Sequence, residues 1–147
     1  MDTAVYTKQF VIFRLENEEY GIDILRVKEI KEMMSITRVP KAAYFVRGVI
    51  NLRGEVIPVI DLRKKFSLQE GKENENTRII IVSVDDITVG LIVDTSSEVI
   101  NISSKQIEEA PIEVGSVDQG YIYGIGKVGE RIIILLDIVK IITNSAG

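Results

Sequence analysis

Apolar positions along this chain fall in short runs rich in valine, isoleucine and phenylalanine, separated by polar breaks. Such runs predict strands rather than long helices. Phe10 to Leu15 (FVIFRL) ends at the polar Glu16 to Glu19, and Tyr20 to Ile22 follows, which predicts a hairpin. From Asp23, placed as an N-cap, Ile24, Leu25, Val27 and Ile30 recur at near-helical spacing, so a short amphipathic helix or helical turn is expected. Gly48 opens two apolar segments, Val49 to Leu52 and Val56 to Ile60, joined by the tight turn Arg53-Gly54. Pro58 cannot donate to a ladder and places the second segment at an edge or a bulge. Asp61 caps a turn ending at Phe66, and the polar stretch Ser67 to Thr77 (SLQEGKENENT) is the best candidate for a linker.

The second half begins again with strands. Arg78 to Val84 and Ile87 to Val93 flank Asp85-Asp86, a compact hairpin signal. Val99 to Ile102 is a further short strand, and Ser103-Ser104 can cap a helical turn through Ile107 before Pro111. Tyr121 to Val128 and Arg131 to Leu136 form a last hairpin around Gly129, after which Asp137 caps a helix over Ile138 to Thr143. The halves share spacings. Phe10 to Gly21 and Ile79 to Gly90 are both eleven residues, each glycine precedes a glutamate (Glu29, Glu98) by eight, and Gly48 to Asp61 equals Gly124 to Asp137 at thirteen. The expected architecture is therefore mainly β, as two small barrels with short helices, over residues 1–70 and 77–147. Each is too small for a generous core of its own, so the two should interlock and share apolar surface. Short strands with glycine turns favour SH3-like barrels over a sandwich.

Composition narrows the function. The 147 residues carry 46% hydrophobic and 27% charged side chains, an ordinary globular balance. A net charge of −4, with basic residues clustered only at Arg63, Lys64 and Lys65, does not suit nucleic acid. No apolar run reaches the roughly 18 residues that span a bilayer, and a cytoplasmic location without membrane insertion is expected. There is no cysteine and no histidine. Thiolate chemistry, a Ser-His triad and the commonest metal ligands are thereby excluded, and no catalytic residue, metal or cofactor is expected. Asp85 and Asp86 read as turn residues, Asp61 and Asp137 as caps, and Glu73 and Glu75 as solvated linker residues. The glycines of Gly120 to Arg131 lack the following helix of a phosphate loop.

Two residues stand out for binding. Arg53, in NLRG, sits at a tight turn between apolar segments, and Glu29 is a charge beside Val27 and Ile30 on the expected helical face. Arginine is enriched where an exposed side chain anchors an interface.

EEYGIDILRVKEI (Glu18 to Ile30), RGVINLRGEVIPVIDLRKKF (Arg47 to Phe66) and VGLIVDTSSEVI (Val89 to Ile100), in this order, closely resemble the CheW-like domain of bacterial chemotaxis coupling proteins. The closing GERIIILLD is also family-like, and the likeness covers nearly the whole chain. The resemblance implies two five-stranded SH3-like subdomains and an adaptor joining the cytoplasmic hairpin tips of methyl-accepting chemotaxis receptors to the regulatory domain of the histidine kinase CheA. It implies recruitment to membrane receptor arrays. It further implies that Glu29 and Arg53 pair in the receptor-facing region, with Val27 and Val99 lining an apolar groove, and that Ile36, Thr37, Gly48 and Gly54 serve kinase binding. A second ring-forming surface in the family falls near Glu108 and Glu113, whose acidic side chains depart from the basic and aromatic ones of some relatives. Two readings from other classes compete: a small carboxylate-based hydrolase or ligand-binding barrel, and a homo-oligomer built through an exposed strand edge at Val56 to Ile60.

Overall fold

The computed structural model describes residues 4–111, 113–114 and 117–143. In chain order the strands are β1 (Thr7–Leu15), β2 (Glu18–Asp23), β3 (Val27–Glu32), β4 (Val46–Leu52), β5 (Glu55–Asp61), β6 (Arg78–Val84), β7 (Ile87–Val93), β8 (Thr95–Ser103), β9 (Ile107–Glu108), β10 (Glu113–Val114), β11 (Val117–Asp118), β12 (Ile122–Val128) and β13 (Arg131–Leu136). Helices α1 (Leu62–Lys65) and α2 (Ile138–Thr143) are short. Asp61 and Asp137 cap them, accepting from the amides of Lys64 and Lys140 at 3.3 Å. The fold is mainly β, with one sheet in the order β8-β1-β2-β13-β12-β9, another in the order β3-β6-β7-β5-β4, and a ribbon of β10 and β11. Neither large sheet closes on itself, and the first has six strands rather than five.

Strands β1, β6, β7 and β13 carry unbroken apolar runs because both faces are buried along those runs. In β6, Ile79 and Ile81 face a cluster with Ile50, Ile57, Val59 and Ile92 inside the curl of the five-stranded sheet. Ile80 and Val82 face the opposite way, into a larger core shared by the two sheets. The six-stranded sheet repeats the arrangement. Phe10, Ile12, Ile133 and Leu135 pack within its curl, while Val11, Phe13, Ile134 and Leu136 enter the shared core. There Tyr20 stacks on Phe13 and Phe66, at ring separations of 5.5 and 6.1 Å.

Matched spacings fall at matched places. Gly21 pairs with Ile12 and Leu135, and Gly90 with Ile81 and Val59. At both glycines a strand from elsewhere in the chain, β13 or β5, runs parallel alongside. Gly48 and Gly124 both follow a break in register, and the amides of Asp61 and Asp137 donate to Phe45 and Tyr121 at 2.8 and 2.9 Å. The chain crosses between the large sheets twice among the described residues. It passes from β2 to β3 through the 3-10 turn Ile24–Arg26, and from β7 to β8 through the single residue Asp94.

Of the short amphipathic helix or helical turn expected from Asp23, the turn is what forms: Asp23 caps the 3-10 turn, and the apolar positions at Val27 and Ile30 lie beyond it on a strand, Val27 to Glu32. Val27 and Ile30 satisfy a helical and an extended pattern alike, and the partner β6 decides between them. The segment Val56 to Ile60 is not a sheet edge, because β5 lies between β4 and β7. Pro58 is tolerated because its partner Val49 directs its own N–H and carbonyl to Thr37, away from β5, which marks Val49 and Pro58 as a non-hydrogen-bonded pair. The β5–β7 ladder begins only at Val59.

Candidate interaction site

Arg53 and Gly54 form the two-residue turn between β4 and β5, with φ of 53° and 87°. A turn with positive φ at both positions matches the twist of the flanking strands. The Gly54 amide donates to Asn51 Oδ1 at 3.0 Å, and a Cβ at residue 54 would meet nothing. Arg53 extends from this tip, its side chain 70% exposed, and its guanidinium donates to Glu29. Glu29 also lies 3.7 Å from the ammonium of Lys31. The pair joins β3, one edge of the five-stranded sheet, to the hairpin at the other edge. Arg53 holds the Glu29 carboxyl below its ordinary range. At this exposure the pair orients the two side chains more than it stabilises the fold.

Val27 and Glu29 do not share a face. Register shifts between them, so that Val27 stands opposite Val82 and Glu29 opposite Ile81. Val82 belongs to the shared core and Ile81 to the interior of the curl. The bulge at Lys28 therefore aims Val27 between the sheets and Glu29 toward Arg53. Val99 lies opposite Val11 on β8, the edge of the six-stranded sheet, and is 45% exposed. Val27 and Val99 thus stand on edge strands of different sheets, and both point to the side of the shared core.

Ile36, Thr37 and Gly48 come together. Thr37 and Val49 form an isolated bridge on the free side of β4. A Cβ at Gly48, where φ is +150°, would run into the Thr37 carbonyl and approach Ile36 Cγ2 to 2.9 Å. Gly54 is not part of that cluster. Six residues of extended chain, about 20 Å, separate it from Gly48, and the turn places it with Arg53 and Glu29. Glu108 is bound by Lys127 at 2.7 Å. Glu113 pairs in register with Asp118 in the β10–β11 ribbon, and its side chain lies outside the described residues.

Sequence reasoning passed over two concavities. One, of about 440 Å³, is lined by Ile36, Arg38, Val39, Lys41, Tyr44 and Lys64. The apolar Val39 and Tyr44, exposed among cations, were its only signal. The other, of about 350 Å³, is lined by Lys8, Phe10, Arg26, Tyr123 and Val139, with the Lys8 ammonium 4.9 Å from the Tyr123 ring centre. Its parts are far apart in sequence and gave no signal. Among the described residues no group of carboxylates could hold a metal ion, and no helix is long and apolar enough to cross a membrane.

A family model described as the CheW-like domain matches residues 9–146. The chain is 42% identical over 137 residues to a protein named chemotaxis protein CheW from Klebsiella aerogenes, covering 93% of this chain and 82% of that one. It is 40% identical over 130 residues to a protein of the same name from Bacillus subtilis, covering 88% and 83%. The crystal structure of a scaffolding protein, TtCheW from Thermoanaerobacter tengcongensis, superposes with a TM-score of 0.83 at 41% identity, over 90% of this chain and 86% of that one.

Proposed function

The chain belongs to the CheW-like domain family, and from that membership we propose that it is a chemotaxis adaptor binding the regulatory domain of CheA and the cytoplasmic tip of a chemoreceptor at the same time. It performs no chemistry of its own in this reading. The observation that carries it is the separation of two surfaces along β4. The Arg53–Glu29 pair stands at one end, and the Ile36, Thr37 and Gly48 cluster stands about 20 Å away at the other. Two partners held that far apart do not compete, and each raises the local concentration of the other.

The receptor tip is assigned to the side of Arg53, Glu29, Val27 and Val99. There a helical hairpin would be read by apolar anchors and oriented by the charge pair. The kinase is assigned to Ile36, Thr37 and Gly48, with Gly54 acting from the receptor side of the same strand. In this reading the protein works in the cytoplasm at membrane receptor arrays, the two curled sheets stand for the SH3-like barrels of the family plan, and the repeats 1–70 and 77–147 interlock by each giving strands to both sheets. Pull-down with a CheA regulatory domain and with a receptor hairpin fragment tests the reading. Capture of both together at micromolar concentration is expected, and failure of both rejects it.

A further inference from the structure

Asp94 is the whole of the second passage between the sheets, and it is the most heavily bonded carboxylate of its neighbourhood. The Arg63 guanidinium donates to both of its oxygens, Nε to Oδ1 at 2.8 Å and Nη2 to Oδ2 at 2.5 Å. Oδ2 also accepts the Glu16 amide at 2.8 Å, and the Asp94 amide donates to the Arg14 carbonyl at 3.0 Å. Arg63 sits on α1 at the end of the five-stranded sheet, while Arg14 and Glu16 belong to the β1–β2 hairpin of the other sheet. The Arg63 Nη1 binds the Gln69 carbonyl at 2.8 Å, and the Gln69 amide reaches back to Glu16 Oε2 at 3.2 Å. Both members of the pair are mostly covered, at 20% and 28% side-chain exposure.

The internal duplication supplies an independent comparison. Asp94 follows Gly90 by four residues, and its counterpart, four after Gly21, is Leu25. Arg63 follows Asp61 by two, and its counterpart after Asp137 is Val139. The two halves keep their caps and glycines in common, yet the charged pair, which joins Arg63 of the first half to Asp94 of the second, has no counterpart between Val139 and Leu25. The barrel plan itself therefore does not require it.

What this pair touches is the start of an edge strand. β3 begins directly after the first passage, and β8 begins at Thr95, directly after Asp94. These two strands carry Val27 and Val99. We propose that Arg63 and Asp94 are positioning residues that fix β8 relative to β3 and thereby preset the spacing of the receptor-binding edges. A bidentate arginine–carboxylate pair constrains direction as well as distance. The shared apolar core holds the sheets together but has no such directionality. Presetting the edges lowers the ordering cost of binding. The inference rests on the receptor assignment above, and its test separates the two.

Because the chain has no cysteine, spin labels can be placed at will. Cysteines substituted for the exposed Glu32 on β3 and Asn101 on β8 report the distance between the strands. In the parent protein one narrow distance is expected. With Arg63→Ala the distribution should broaden or shift, and the affinity for a receptor hairpin fragment should fall about tenfold, while affinity for the kinase domain stays within about twofold. Arg63→Lys, which keeps the charge without the fork, should recover part of both effects. An unchanged distance distribution in a folded Arg63→Ala protein would overturn the proposal even if the receptor assignment holds. Equal weakening toward both partners would also overturn it, as a plain loss of stability. If the parent protein binds no receptor fragment, the receptor assignment has failed, and with it the proposed role in binding, whatever the labels report.

Discussion

Thr37 and Val49 exchange both of their backbone hydrogen bonds, Thr37 N–H to the Val49 carbonyl at 2.9 Å and Val49 N–H to the Thr37 carbonyl at 2.8 Å. This contact satisfies β4 on the side away from β5 and leaves no space for a side chain on the neighbouring Gly48. Gly48→Ala must therefore distort the backbone or break the bridge. A loss of roughly 2–4 kcal/mol is expected in urea denaturation. Kinase-domain affinity should fall with it, and a variant of parental stability would show that the bridge is dispensable.

Gly21 and Gly90 provide a paired measurement. An added Cβ would meet Leu135 Cδ2 at 2.9 Å in the first case and Ile79 Cγ2 at 2.8 Å in the second. Both contacts are with side chains, which can yield at a cost. Gly21→Ala and Gly90→Ala should each destabilise by about 1–3 kcal/mol, as overpacked cores do. Similar values for the two would reflect their equivalent places, and a neutral result at either would mean that its curl is loosely packed.

At Arg53 the turn backbone and the side chain make separate demands. Glycine fits a φ of 53° better than arginine does. Arg53→Gly should leave the melting temperature unchanged or slightly higher while weakening capture of the receptor fragment. In the same variant the Glu29 carboxyl should titrate at higher pH than in the parent, because its main partner is gone. Carboxyl resonances followed through acid titration would show this. A Glu29 that titrates unchanged would mean that the pair does not persist in solution.

Glu19 lies between Arg131 and Arg14 and is held below its ordinary value of 4.5, chiefly by its hydrogen bonds to Arg131 at 2.7 and 3.1 Å. A carboxyl whose folded pKa is depressed binds fewer protons folded than unfolded. Its contribution is full above the unfolded value and is lost as pH falls through the folded one. Thermal unfolding of the parent should therefore steepen in its pH dependence below about 4.5, and Glu19→Gln should flatten that arm. Identical acid profiles would show that the contact contributes nothing to folding.

Local chemistry was legible in the sequence, and pairing was not. Asp61 and Asp137 read as caps, the turns at Arg53-Gly54 and Asp85-Asp86 read as hairpins, and the glycine spacings pointed to a duplication, because each signal sits within a few residues of its effect. The spacing of Ile24, Leu25, Val27 and Ile30 suits a helix as well as a turn followed by a strand, and only β6 laid alongside decides for the strand from Val27 onward. The bulge that separates Val27 from Glu29 has no signature of its own, since it depends on register with a partner some fifty residues away. Membership of the family implied the pairing of Glu29 with Arg53, and the two ends of the sheet do meet there. Neither sequence pattern nor resemblance suggested Arg63 and Asp94. Arg63 read only as one of three consecutive basic residues and Asp94 only as part of VGLIVDTSSEVI, with nothing to connect them across 31 residues.

Strand β2 is flanked by β1 on one side and by β13 on the other, and Glu19 meets Arg131 across a separation of 112 residues. On a ribosome the first hairpin therefore emerges with both outer edges bare; β8 covers the β1 edge first, and the β2 edge stays open until β13 has been made. The apolar faces of Phe10 and Ile12 stay without Ile133 and Leu135 for the same interval. Long-range pairing of this kind is slow and leaves strand edges open to other chains. Removing β13 would take away a central strand rather than a terminal appendage, and this sheet cannot be completed before β13 itself has been made.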